Sequence, residues 1–123
     1  MLFTLDLKSG SYDSISTSSG LFDGQPDQIK HLKHVVGAAE GKQEIMYFTE
    51  DDRSSGIHAR NLKNGKFFTI AHSLSHKSET TAIAFSRDEH HLRFCLHDPG
   101  VCFDVTREDG KSFSDKTLEI IYS

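Results

Sequence analysis

The stretch Gly56-Ile57-His58-Ala59-Arg60-Asn61-Leu62-Lys63-Asn64-Gly65-Lys66-Phe67 is echoed later in the chain by Gly100-Val101-Cys102-Phe103-Asp104-Val105-Thr106-Arg107-Glu108-Asp109-Gly110-Lys111. Each copy opens on glycine, alternates apolar and polar side chains, and runs into a polar turn that contains a second glycine. The opening glycines stand 44 positions apart and the turn glycines 45. Leu2-Phe3-Thr4-Leu5-Asp6-Leu7-Lys8-Ser9-Gly10 is a third, partial copy. A period of roughly 40–50 residues means that one supersecondary unit is repeated and stacked, and a four-stranded propeller blade has that span.

Period-two alternation places short strands at about 2–7, 11–16, 28–36, 44–49, 56–62, 66–71, 80–86, 91–97, 100–106 and 117–122. The segment from Gln28 to Ala39 contains Val35-Val36-Gly37 and has no convincing cap, so it too reads as strand. Lys8-Ser9-Gly10, Lys63-Asn64-Gly65, Arg87-Asp88-Glu89, Asp98-Pro99-Gly100 and Glu108-Asp109-Gly110 supply the turns. Strands joined by tight turns are antiparallel neighbours, so each sheet is a meander. The expectation is an all-β chain, a β-propeller fragment of about two and a half four-stranded antiparallel blades. Residues 1–17 give the outer strands of a partial blade, 18–71 the first complete blade and 72–123 the second. Closure takes at least about four blades. The reading therefore expects a piece of a larger ring, with missing blades or a self-association partner covering the exposed faces.

Composition removes several function classes. The net charge is −4, and the 14 lysines and arginines are scattered singly rather than gathered on a stripe, so neither nucleic acid nor an anionic membrane is an expected partner. The first residues alternate apolar and polar side chains, with no basic segment followed by an apolar one, so no signal peptide is legible. No nucleophile elbow, phosphate-binding glycine loop or activated cysteine is present, and no catalytic residue is named. His72 and His76 have the i, i+4 spacing of a helical metal pair, but the Ser-rich segment around them reads as a connection between blades. His31, His34, His58, His90, His91 and His97 read as strand-face or turn residues.

Cys95 and Cys102 flank the Asp98-Pro99 turn. Pairing Leu96 with Val101 and Phe94 with Phe103 sets the two cysteines opposite each other on the other face, at a spacing slightly wide of a disulfide, so proximity is expected and a bond is open to them only in an oxidising compartment. Phe48, Ile57, Phe67, Phe85, Phe94, Leu96, Val101, Phe103 and Val105 are expected in the core. Strand reversal at each hairpin puts Asp27, Glu50, Glu79 and Asp98 on one rim, with Asp27 and Glu79 just ahead of the two innermost strands. Glu50, Asp51 and Asp52 form an acidic cluster whose oxygens suit calcium, although solvated loop acids account for the same pattern.

Gly24-Gln25-Pro26-Asp27-Gln28-Ile29, Tyr47-Phe48-Thr49-Glu50-Asp51, Ser78-Glu79-Thr80-Thr81-Ala82-Ile83-Ala84-Phe85-Ser86-Arg87-Asp88 and Asp98-Pro99-Gly100-Val101 resemble, in this order, motifs of the PhoX-type alkaline phosphatase family. Gln28 stands where that family tends to have Asn, Ala82 where it tends to have Gly, and Arg87-Asp88-Glu89 replaces a Pro-Asp-Gly turn. The resemblance covers roughly residues 20–113, a minor part of the family's length. It implies a secreted or periplasmic, calcium- and iron-dependent β-propeller that hydrolyses phosphomonoesters in the complete protein. The four carboxylates at one rim repel unless solvated or bridged by a cation, and calcium is the natural candidate, with Glu50 and Glu79 as ligands, Asp27 a ligand or an outer acceptor, and Asp98 equally explained as a turn former. A non-catalytic propeller interaction module and a gluconolactonase-like calcium-dependent hydrolase are the alternatives.

Overall fold

A computed structural model of the chain describes residues 2–15, 26–37, 41–51, 56–73 and 78–115. The alternating segments become strands, all paired antiparallel, and there is no helix among the described residues. β1 (Leu2–Leu5) and β2 (Tyr12–Ile15) form a hairpin. β3 (Pro26–Gly37), β4 (Gly41–Glu50), β5 (Gly56–Asn61) and β6 (Phe67–His72) form a four-stranded meander. β7 (Thr80–Phe85), β8 (His91–Leu96) and β9 (Val101–Thr106) form a three-stranded one. The all-β expectation therefore holds. The strand expected at 117–122 lies outside the described residues.

The turn between β5 and β6 shows why the polar glycine-containing segments end strands. Asn61 Oδ1 accepts from the backbone N–H groups of Lys63 (2.9 Å) and Asn64 (3.3 Å), and Gly65 closes the turn at φ +72°. That left-handed conformation is open to glycine at no steric cost. Gly110, its counterpart in the repeat, has φ +68°.

The core forms where the two larger sheets meet. Leu32, Ile45, Tyr47, Ile57 and Ala59 face Ile83, Leu92, Phe94 and Phe113, all buried. Tyr47 packs edge-on against Phe85 at 5.0 Å between ring centres, and Phe85 in turn against Phe113 at 5.3 Å. Each large apolar side chain taken out of water here contributes about 1.5–3 kcal/mol. The opposite face of the four-stranded sheet carries Met46, Phe48 and Phe67, packed together.

Of the residues expected inside, Phe48, Ile57, Phe94 and Leu96 are buried, and Phe67, Phe85 and Val105 are partly so. Val101 and Phe103 are a correction: each is 42% exposed. The four-stranded sheet reaches its neighbour through β3 and β4 against β7. β9 is two strands further out and only partly covered. The β1–β2 hairpin is also open, with Phe3, Leu5, Leu7 and Tyr12 exposed.

One side chain ties the two sheets at a fixed position. The register of β3 against β4 shifts between Pro26 and Ile29, a bulge that frees Gln28 from the ladder. Its N–H donates to Thr49 Oγ1 at 3.0 Å, and its side chain reaches β7. There Nε2 donates to Thr81 Oγ1 at 3.0 Å, and Oε1 accepts from the Ile83 N–H at 3.1 Å. The first strands of successive sheets therefore lie side by side with their starts together.

Candidate functional site

Because β3 and β7 start at the same end, and each hairpin reverses the chain, that end also collects the last residues of β4, β6 and β8. Asp27 is the second residue of β3 and is exposed. Glu79 precedes β7 and is half-buried, its carbonyl accepting from the His97 N–H at 3.0 Å. Asp98 follows β8, is exposed, and donates its N–H to Ser78 Oγ at 2.8 Å. Glu50 closes β4, paired with Pro26. These four acids stand at one rim, as strand direction requires.

Glu50 differs from the other three. Its side chain is fully buried, and Oε2 lies 3.3 Å from Nε2 of His58, itself fully buried. The register explains the meeting. Phe48 pairs with His58 and Thr49 with Ile57, so Gly56 falls opposite Glu50 and His58 lies on the diagonal of the same face. With no side chain at Gly56, the carboxylate leans across to the imidazole. A β-carbon at position 56 would sit 2.5 Å from His58 Nε2 and 3.2 Å from Glu50 Oε2.

Phe67 stacks on the His58 ring at 5.6 Å, and Phe48 lies at 6.0 Å. On the other side of the ring, Nδ1 is 3.2 Å from Thr69 Oγ1. Burial, and secondarily the charge of His72, lower the His58 pKa to about 4. His58 is thus neutral at pH 7. The network assigns its tautomer: Nε2–H donates to the acceptor carboxylate of Glu50, and Nδ1 accepts from the Thr69 hydroxyl. Hydroxyl, imidazole and carboxylate follow in the order used by acyl-transfer enzymes. Here, however, the base and its carboxylate are sealed beneath Phe48 and Phe67, where no substrate atom reaches them, and the chain acts as a polar knot inside the sheet.

Calcium takes six to eight oxygens. Among the described residues no three carboxylate, imidazole or thiol groups converge on a common point. Glu50, expected as a ligand with Glu79 and Asp27, has its carboxylate engaged inside the sheet by His58. Among the described residues, Asp27, Glu79 and Asp98 do not by themselves assemble a calcium centre. Asp51, the next acid of the cluster, is exposed, and Asp52 lies outside the described residues.

The remaining candidates are accounted for by local pairing. Cys95 and Cys102 are directly opposed in the β8–β9 register, with Cα atoms 4.0 Å apart, and form a disulfide. His91 Nδ1 lies 2.9 Å from Asp104 Oδ1 on an exposed strand face. His72 ends β6, which excludes the helical pairing with His76, a residue outside the described ones. The Glu50–His58 pair escaped the sequence reading. Its signal is present all the same: the glycine at 56 lies opposite an acid and two residues before a histidine.

No family model, curated protein or solved structure matches this chain.

Proposed function

We propose that this chain is a run of adjacent blades from a β-propeller and works as a non-catalytic binding module, its open faces covered by further blades. The Gln28 clamp carries this reading. It joins the first strand of one meander to the first strand of the next, the arrangement that sets inner strands around a propeller channel. The exposed Phe3, Leu5, Leu7 and Tyr12 of the β1–β2 hairpin are among the apolar surfaces a neighbouring blade covers. Light scattering coupled to size exclusion tests this. The isolated chain should associate through these surfaces, and Phe3→Ser with Leu7→Ser should shift it toward a monomer. A strictly monomeric chain at all concentrations, unchanged by the substitutions, contradicts the reading.

One observation favours a second reading, a PhoX-like calcium-dependent phosphomonoesterase in the complete ring. Asp27, Glu79 and Asp98 share the rim nearest the two first strands, with open or half-open carboxylates. Calorimetry with calcium separates the two. Binding weakened by Asp27→Asn and Glu79→Gln supports a cation rim, whereas no heat of binding leaves the non-catalytic module.

A further inference from the structure

Between β5–β6 and β7–β9, at the rim end, lies a pocket of about 410 Å³. Ile57 lines it from one sheet and Phe94, Leu96 and Phe103 from the other, and its polar residues are His72, Ser73 and Thr80. The volume falls in the range of small-molecule sites, roughly 300–1,000 Å³, and the mix of apolar walls with a few polar groups is typical of them.

Two features point to what the pocket holds. The first is Thr80. It is 1% exposed, and its Oγ1 is buried without a hydrogen-bond partner among the described residues. Buried hydroxyls are ordinarily paired, and an unpaired one carries a desolvation penalty with no return. The fold does not require this oxygen, because valine has the same branched shape and strand preference. The neighbouring hydroxyl of Thr81 is taken by Gln28, which sets the contrast within a single strand. The second feature is the wall. Phe94 and Phe103, paired across β8 and β9, stack at 5.1 Å with an interplanar angle of 21°. Phe103 remains 42% exposed there, so an aromatic face is held open beside the cavity.

We infer that this pocket binds a small aromatic molecule carrying a hydroxyl group, its ring against Phe94 and Phe103 and its hydroxyl hydrogen-bonded to Thr80 Oγ1, which a turn about χ1 brings from its buried position to the pocket wall. The site arises from the packing of the two sheets and does not rest on the function proposed above. Burial of the ring supplies the affinity, and the Thr80 hydroxyl selects a polar aromatic over a bare one.

The test titrates the intact chain with 2-naphthol and, separately, with naphthalene, following the backbone amide signals of Ile57, Thr80 and Phe94 by NMR. 2-Naphthol should shift these signals and bind roughly tenfold more tightly than naphthalene. Thr80→Val should keep the affinity for naphthalene and abolish the preference, while Thr80→Ser should retain it. Leu96→Trp, which fills the pocket, should weaken both probes, with the thermal melt reporting that each variant is folded. Absence of shifts at the lining residues overturns the site. A naphthol preference that survives in folded Thr80→Val, or is lost in folded Thr80→Ser, overturns the role of the hydroxyl.

Discussion

Glu50 and His58 meet across β4 and β5 on the diagonal left open by Gly56, 3.3 Å apart and with neither side chain exposed. A rim acid that strand geometry places beside three others is thereby drawn into the sheet. Of the four, Asp27, Glu79 and Asp98 keep open or half-open positions, and a polar knot forms beneath Phe48 and Phe67.

The knot should be read out by pH. The His58 pKa is lowered to about 4, first by burial and then by His72. In the unfolded chain the same ring protonates near 6.5. Between those values the unfolded state binds more protons, so the stability from neutral His58 is full above pH ~6.5 and falls as pH drops toward ~4. The loss should reach at most about 3 kcal/mol. Urea unfolding at pH 7, 5.5 and 4.5 should show this slope in the wild type and a flatter one in His58→Gln. Equal slopes would mean that His58 is not held neutral.

Gly56 should tolerate no side chain. The β-carbon of Gly56→Ala would meet His58 Nε2 at 2.5 Å, and stacking on Phe67 keeps the ring from yielding freely. Overpacking of this kind costs about 1–3 kcal/mol. Denaturant midpoints should fall accordingly, and the double variant Gly56→Ala with His58→Ala should lose less than the two single effects added together. Simple additivity would show that the clash is not with His58.

Opening the Cys95–Cys102 bridge should be mild. The cysteines are seven positions apart in sequence, so the closed loop is short. Chain-entropy arguments assign such a bridge about 2 kcal/mol. A reductant should lower the melting temperature by the few degrees that corresponds to, and Cys95→Ala with Cys102→Ala should be insensitive to it. Mass spectrometry under alkylating conditions should find no free thiol before reduction.

Much of the strand order was legible because period-two alternation and glycine turns are local signals. The Leu96–Val101 and Phe94–Phe103 register, with Cys95 opposite Cys102, follows from them directly. Burial was less legible. Val101 and Phe103 have the residue types and alternation of core positions, yet they lie on β9, beyond the reach of the facing sheet, and no local pattern encodes that. Glu50 is the same problem in reverse: an acid at a strand end reads as solvated until the register places Gly56 opposite and His58 on the diagonal. Tyr47, Leu92 and Phe113 complete the buried layer where the two larger sheets meet.

The Gln28 clamp carries the claim that the two larger sheets are adjacent blades, and amide exchange measures it directly. The Ile83 N–H is bonded to Gln28 Oε1 at 3.1 Å and should exchange slowly in the wild type. In Gln28→Ala it should become at least tenfold faster, while the β8 amides paired with β9 keep their protection. Nuclear Overhauser contacts from the Gln28 side-chain amide to Thr81 should accompany the protection. Rapid exchange at Ile83 in the wild type, or protection unchanged in Gln28→Ala, would contradict the joining of β3 to β7 and with it the propeller account.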